Sequence, residues 1–201
     1  MVRSLGILCA MFFLPLMLIA QGGGQQSIHE SGRIDIPPRG DSASDPAFPG
    51  ASGTASDLSG MPAPPFMVRS LDDTARYIGN LEFDGEVYLV DFWATWCPPC
   101  VDALPELEEI YEEYHPRGFN ILSLSFDSSD ERVREFREKH FAMPWKHGRL
   151  AGGFNDAVSL SFGLENIPHY VLVGRDARVI AEGDWIHGEK LRTLLEEHLG
   201  D

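Results

Sequence analysis

Two cysteines separated by two prolines, in the stretch Cys97-Pro98-Pro99-Cys100, are the residues whose types and spacing most clearly allow chemistry. Thiols at this spacing form a reversible disulfide. Only a thiolate attacks a disulfide, and the N-terminus of a helix stabilises that anion. Because Cys97 directly precedes a predicted helix, we expect it to be the exposed nucleophile. Cys100 lies one turn further on, and we expect it to be more buried and to resolve the mixed disulfide.

The segments on either side of the cysteines predict a strand that leads into a helix. Residues 86–92 are β-branched and aromatic, which favours a strand. Apolar residues then recur at helical spacing to about His115, and Pro98 and Pro99 suit the first turn of a helix. Pro105 lies in the middle of this helix and predicts a kink.

Elsewhere the chain alternates predicted strands and helices. Strands are expected within 66–83 and at 119–126, 169–173 and 178–181, with an extra one beginning at Met143-Pro144-Trp145. Helices are expected at 130–140, capped by Ser129 or Asp130, at 153–162, and at 189–199, ended by Gly200. This order predicts an α/β fold with a mostly parallel central sheet, closed by an antiparallel hairpin.

The cysteine segment also carries a family resemblance. "VDFWATWCPPC" resembles the active-site segment of the thioredoxin superfamily, and "IPHYVLV" and the element order resemble its exported TlpA/ResA-like thiol–disulfide oxidoreductases. The resemblance covers residues 61–201. It implies a thioredoxin-like fold, a central mixed sheet flanked by helices, with an N-terminal strand extension and a central β-α insertion. It also implies reversible oxidation of the Cys97–Cys100 pair. Relatives often reduce protein disulfides, including those of apocytochromes, with electrons from a membrane donor.

The same resemblance assigns a proton relay to Asp91, which lies in the apolar strand six residues before Cys97. In thioredoxins the matching position holds a buried aspartate that exchanges a proton with the resolving cysteine. Burial raises the pKa of a carboxyl, which suits acid–base work near neutrality. Many TlpA/ResA-like proteins instead use a buried glutamate three residues after the second cysteine. This chain has Ala103 there, with Asp102 beside it on another helical face, so Asp91 is the better candidate.

Substrate contact is expected at Trp96, Ile167 and Pro168. The superfamily carries a cis-proline opposite its cysteine pair, where backbone groups are free to pair with an extended substrate. Trp96 and Trp93 resemble the aromatic wall of the site, although Trp93 is equally compatible with the core. His169 stands where relatives often carry threonine, and the sequence leaves open whether it tunes the thiolate or faces solvent.

The insertion contains a candidate specificity region. It would be formed by Met143, Trp145 and His147, and simple packing in the core is the alternative interpretation.

The first 60 residues predict export followed by a tether. Residues 1–20 are expected to be a signal peptide, with an N-terminal membrane anchor as the alternative. The apolar run 5–20 favours the signal peptide, because it is shorter than the about 20 residues that span a bilayer. Residues 21–60 are rich in Gly, Ser and Pro and predict a disordered linker. The folded domain is expected at 61–201. The location would then be periplasmic or otherwise extracytoplasmic, with membrane contact only through an uncleaved leader.

Composition and motifs narrow the function further. The formal net charge of −15 disfavours binding to nucleic acid or to an anionic membrane surface. A single CxxC without a second Cys/His pair is a poor zinc site, so no metal and no cofactor are expected. The leading hypothesis is a reductase of protein disulfides, with thiol- or disulfide-bearing proteins as partners. The alternatives are a peroxiredoxin-like peroxidase, for which Thr95 precedes the cysteine, and a copper- or haem-handling thiol protein.

Overall fold

The central strand of the fold is β3, Val87–Trp93, in a computed structural model that describes residues 57–200. All seven residues of β3 are buried, since strands pair with both of its edges and side chains from other elements pack on both of its faces. β4, Phe119–Ser125, pairs with it in parallel, and β5, Lys146–Arg149, extends the sheet beyond β4. On the other side lie β6, His169–Val173, and β7, Val179–Gly183, both antiparallel to their neighbours. The sheet order is β5-β4-β3-β6-β7.

Four α-helices connect and cover these strands. They are α1, Pro98–Tyr114; α2, Asp130–Lys139; α3, Ala157–Ser161; and α4, Gly188–Leu199. The Ser129 side chain accepts a hydrogen bond from the Arg132 amide and caps α2, and Gly200 ends α4 with a φ of 70°. The mixed sheet flanked by helices confirms the predicted α/β, thioredoxin-like fold class. Pro105 lies inside α1, and the helix continues on both sides of it.

A short hairpin precedes the central sheet, as the sequence predicts for residues 66–83. It consists of β1, Met67–Arg69, and β2, Tyr77–Gly79, and is followed by a 3₁₀ turn at Asn80–Phe83. β-Bridges from Ser70 to Gly148 of β5 and from Pro62 to Arg178, just before β7, connect this N-terminal extension to both edges of the sheet.

Successive residues of β3 point to opposite faces of the sheet. Phe92 packs against Phe162, just after α3, with ring centroids 5.3 Å apart. Trp93, on the opposite face, packs against Phe136 of α2 at 5.5 Å. Asp91 shares the face of Trp93, so this strand carries a carboxyl into the buried layer on that side of the sheet.

The extra strand begins later than the sequence predicts. Met143 has a φ of 48°, in the left-handed region, and the Trp145 amide donates to its carbonyl at 2.8 Å. The chain therefore turns at Met143-Pro144-Trp145 and enters β5 only at Lys146.

The predicted leader, residues 1–20, and most of the predicted linker lie outside the described residues. The described chain starts at Asp57, and Leu58 already belongs to the buried core. The division into leader, linker and domain stays a prediction. Among residues 57–200, no helix is both long enough and apolar enough to cross a membrane.

Candidate redox site

Cys97 and Cys100 form a disulfide at the start of α1, with their Cα atoms 5.3 Å apart. Cys97 is the N-cap of the helix, and Pro98 and Pro99 fill its first, exposed turn. The expected contrast in burial is wrong for this oxidised form, since Cys97 is 3% and Cys100 2% exposed. The disulfide joins two side chains that are both buried. Its place at the helix N-terminus is the feature that still favours Cys97, rather than Cys100, for the expected role of nucleophile.

The turn that leads into the cysteine pair is fixed by a buried carboxylate, Asp127. The Cys97 amide donates to the Ala94 carbonyl at 3.1 Å and closes this turn. Within the turn, Thr95 donates its amide to Asp127 Oδ2 at 2.9 Å and its hydroxyl to Oδ1 at 2.6 Å. A hydroxyl has only one proton to donate, and that of Thr95 goes to Asp127 rather than to a substrate at Cys97.

Asp91 is 1% exposed and lies within β3. Its Oδ2 atom accepts a hydrogen bond of 2.6 Å from the hydroxyl of Ser123, the residue directly opposite in β4. Burial raises the pKa of Asp91 to about 7, and the bond from Ser123 acts in the opposite direction. A carboxyl with this pKa can take up and release a proton near neutral pH.

The residues expected to contact substrate lie at surface positions. The Ile167–Pro168 peptide is cis, and both residues are half-buried immediately before β6. Trp96 is 53% exposed beside the disulfide. Trp93 is fully buried and packs on α2, so of the two tryptophans only Trp96 is placed to meet a partner.

His169 neither faces solvent freely nor contacts a strong hydrogen-bond partner. Its Nε2 atom is buried and lies 3.7 Å from Oε2 of Glu182, beyond hydrogen-bond distance. Burial lowers the pKa of His169, while the charge of Glu182 acts in the opposite direction. The other oxygen of Glu182 accepts the Leu58 amide at 2.6 Å, which attaches the start of the described chain to this edge of the site.

The proposed specificity region of the insertion is not exposed. Met143, Trp145 and His147 are all buried, so they pack inside the domain and cannot select a partner by direct contact. His147 donates to the Met143 carbonyl at 3.0 Å, and burial lowers its pKa to about 4.

Sequence reasoning missed two polar residues of the site, Ser123 and Asp127. A signal was present: Ser123, Ser125 and Asp127 occur at every second position of an apolar strand and its exit, which places them on one face. Their partners, Asp91 and Thr95, each lie 32 residues earlier in the chain. Only the parallel pairing of β3 and β4 brings them together.

Comparison with known proteins agrees with this architecture. A family profile described as thioredoxin-like matches residues 85–179. The thiol-disulfide oxidoreductase ResA of Bacillus thuringiensis subsp. konkukian is 31% identical over 140 residues, which cover 70% of this chain and 76% of that protein.

Solved structures show the same fold. The C-terminal domain of a putative thiol-disulfide oxidoreductase from Bacteroides thetaiotaomicron is 22% identical with a TM-score of 0.63, covering 72% of this chain and 97% of its own. A thiol:disulfide interchange protein from Bacteroides sp. is 26% identical with a TM-score of 0.61, covering 69% and 88%. With its fold, its cysteine pair and these relatives, the chain belongs to the ResA-like thiol–disulfide oxidoreductases of the thioredoxin superfamily.

Proposed function

We propose that this chain is an exported reductase of protein disulfides that cycles between a Cys97–Cys100 dithiol and the disulfide. The observation that carries the proposal is the disulfide at the N-terminus of α1, with the exposed Trp96 beside it. Reduction, rather than oxidation, is proposed because the resemblance to TlpA/ResA-like proteins favours that direction.

The reaction transfers two electrons to the target in two exchange steps. The Cys97 thiolate attacks one sulfur of the target disulfide, forms a mixed disulfide and releases the other target sulfur as a thiolate. Cys100, after losing its proton, attacks the Cys97 sulfur, which forms the Cys97–Cys100 bond and releases the second target sulfur. The target leaves as a dithiol, and a separate dithiol donor protein must reduce the enzyme again.

In this scheme Asp91 accepts the proton of Cys100. A thiol has a pKa near 8.5 and is mostly protonated at neutral pH, so the second step needs a base. The pKa of Asp91, raised by burial to about 7, supports this role. Once the disulfide has formed, the carboxyl can return the proton to solvent or to the departing thiolate.

Target binding is proposed at Trp96, Ile167 and Pro168. A groove of about 510 Å³ begins at Thr95 and Trp96 and continues along α2, where Phe136 and His140 line it. Ile167 and Pro168 lie outside the paired register of β6, so their backbone groups are not used by the β3–β6 ladder. An extended segment of a target protein can therefore pair with them.

We also propose that the protein is exported and that a membrane electron donor reduces its disulfide again. The leader predicted for residues 1–20 supports transport out of the cytoplasm, and residues 21–60 would then act as a tether if the leader stays uncleaved. A role in the maturation of c-type cytochromes is proposed from the family resemblance, with an apocytochrome disulfide as one target.

Trapping the mixed disulfide tests the proposed chemistry. Reduced Cys100→Ser protein should form a stable covalent adduct with a disulfide-containing protein, because the resolving thiol is missing. The matched Cys97→Ser variant should form no adduct, since it lacks the nucleophile. Adducts formed equally by both variants would contradict the assignment. Rapid consumption of hydrogen peroxide by the reduced wild-type protein, without reduction of protein disulfides, would favour the peroxidase alternative.

A further inference from the structure

A hydrogen-bonded chain leads from the inserted segment to Asp91. The indole nitrogen of Trp145 lies 2.8 Å from the Ser123 hydroxyl oxygen, and that oxygen lies 2.6 Å from Asp91 Oδ2. All three residues are buried. Ser123 stands directly opposite Asp91 in the register of β3 and β4.

The direction of these two bonds follows from the chemistry of the donors. An indole N–H can only donate, so the Ser123 oxygen must accept from Trp145. The bond from Trp145 occupies one lone pair of the Ser123 oxygen and orients the hydroxyl, which donates its single proton to the ionised Asp91 carboxylate, a group that can only accept. Without Trp145, the hydroxyl could rotate more freely and accept a proton from Asp91 instead, which would favour the protonated carboxyl.

We propose that Ser123 and Trp145 are positioning residues of the redox site: Trp145 fixes the Ser123 hydroxyl as a donor, and this donor stabilises the ionised, proton-accepting form of Asp91. The inference rests on the proposed function, in which Asp91 accepts the proton of Cys100.

Packing holds Trp145 where this role requires it. Its ring lies 5.3 Å from that of Tyr111, which belongs to α1, the helix that begins at the cysteine pair. Trp145 immediately precedes β5, so the inserted segment contributes to the site from within the core. Trp145 thus has a role that does not require contact with a partner.

The other titratable groups around Asp91 lie on β6, β5 and α1. Tyr170 of β6 is its register partner, and burial and then the charge of Asp91 raise the pKa of that phenol. His147 of β5 is the register partner of Ser123 and is neutral near pH 7, because burial lowers its pKa to about 4. From α1, Glu106 acts on Tyr170, and the two thiols join these groups once the disulfide is reduced. The Ser123 hydroxyl is the hydrogen-bond donor that the structure places on the carboxyl.

The test is the pKa of Asp91 itself, measured from its carboxyl ¹³C resonance in the full oxidised chain. The disulfide keeps Cys97 and Cys100 from titrating. The carboxyl resonance of Asp91 is identified by its loss in Asp91→Asn. Ser123→Ala should raise this pKa by about one pH unit or more, a tenfold change in proton affinity, because a hydrogen bond to a charged group is lost. Trp145→Phe should raise it by less, since the ring remains on Tyr111 and Ser123 keeps its hydroxyl.

Two further variants make the result specific. Ser125→Ala removes an equally buried hydroxyl from the same strand, one that donates to Asp127, and should leave the pKa of Asp91 unchanged. Ser123→Thr keeps a hydroxyl and should restore a value near that of the wild type. The proposal is overturned if Ser123→Ala leaves the pKa within about 0.2 of the wild type, or if Ser125→Ala raises it as much. An unchanged value in Trp145→Phe overturns the role of Trp145.

A kinetic measurement separates this inference from the proposed function. The rate at which Cys100 resolves a preformed mixed disulfide should fall at low pH, and Ser123→Ala should move that fall upward by the same amount as the carboxyl pKa. A carboxyl pKa that moves while the rate profile stays fixed would overturn the proposed acid–base role of Asp91. The hydrogen-bond assignment would still stand in that case.

Discussion

Asp127 binds Thr95 twice, through its backbone amide at 2.9 Å and through its hydroxyl at 2.6 Å. Ser125 adds a third donor to the same carboxylate at 2.8 Å. Three hydrogen-bond donors therefore converge on this carboxylate. Because Thr95 lies in the turn that ends at Cys97, these bonds connect the C-terminal end of β4 to the N-terminus of α1, where the disulfide lies.

Removing the Thr95 hydroxyl should weaken this connection. We expect Thr95→Val to lower the free energy of unfolding of the oxidised protein by about 1.5–3 kcal/mol, the usual contribution of a hydrogen bond to a charged group. Urea unfolding measures the change. Thr193→Val is the matched control, because that hydroxyl is exposed and bonds only to a helix carbonyl. Equal effects of the two substitutions would contradict the account of the Asp127 contacts.

The stability of the protein should depend on the ionisation of Asp91. Its pKa is raised to about 7 in the folded protein, so the folded state binds more protons than the unfolded state between about pH 4 and pH 7. The contribution of Asp91 to stability therefore decreases as pH rises through this window. The gap of about three pH units corresponds to a loss on the order of 4 kcal/mol.

Asp91→Asn should remove that loss. The variant should gain stability relative to the wild type as pH rises from 4 to 8, and urea unfolding across this range tests it. A difference between the two proteins that stays constant with pH would show that Asp91 does not titrate in this window.

His147 should have the opposite effect in acid. Burial, reinforced by the charge of Arg137, lowers the pKa of His147 to about 4. The unfolded state therefore binds more protons between about pH 6.5 and pH 4, and stability should fall as pH falls through this window. His147→Gln should flatten the acid side of the stability curve. Because Asp91 acts in the opposite sense, the test is sharpest in an Asp91→Asn background, and an acid loss of the same size with either residue at position 147 would contradict it.

Trp96 should matter for protein targets more than for small ones. We expect Trp96→Ala to slow the reduction of a protein disulfide while leaving the reduction of oxidised glutathione nearly unchanged, because a large target contacts more of the exposed ring. Trp185→Ala is the control, since this tryptophan is similarly exposed, at 47% against 53%, and packs beside Lys190. A comparable loss with both targets in Trp96→Ala, or the same selective loss in Trp185→Ala, would contradict a role of Trp96 in binding the target.

The sequence predicted what depends on local pattern. The β-branched run of β3, the helical spacing after Cys97 and the glycine after α4 all predicted elements that the structure contains. The position of Asp91 was predicted by resemblance, and its burial agrees with its place in an otherwise apolar strand. These features need no knowledge of distant pairing.

What the sequence did not predict depends on contacts between distant segments. Ser123 and Trp145 reach Asp91 only through the register of parallel strands, which no local pattern determines. Cys97 is buried in its bond to Cys100, although its place before a helix led us to expect exposure. β5 starts late because the chain turns at Met143, a backbone conformation that propensity does not indicate for methionine.

The reduction potential of the Cys97–Cys100 pair tests the central claim most directly. The protein would be equilibrated in dithiothreitol or glutathione buffers of known potential, with Cys100→Ala as the control that cannot form the Cys97–Cys100 bond. A reductase predicts a two-electron midpoint of about −270 mV or lower, close to that of thioredoxin. A midpoint near about −120 mV, typical of a protein that introduces disulfides, would contradict the proposed direction. The absence of any reversible two-electron step would contradict the redox role of the pair.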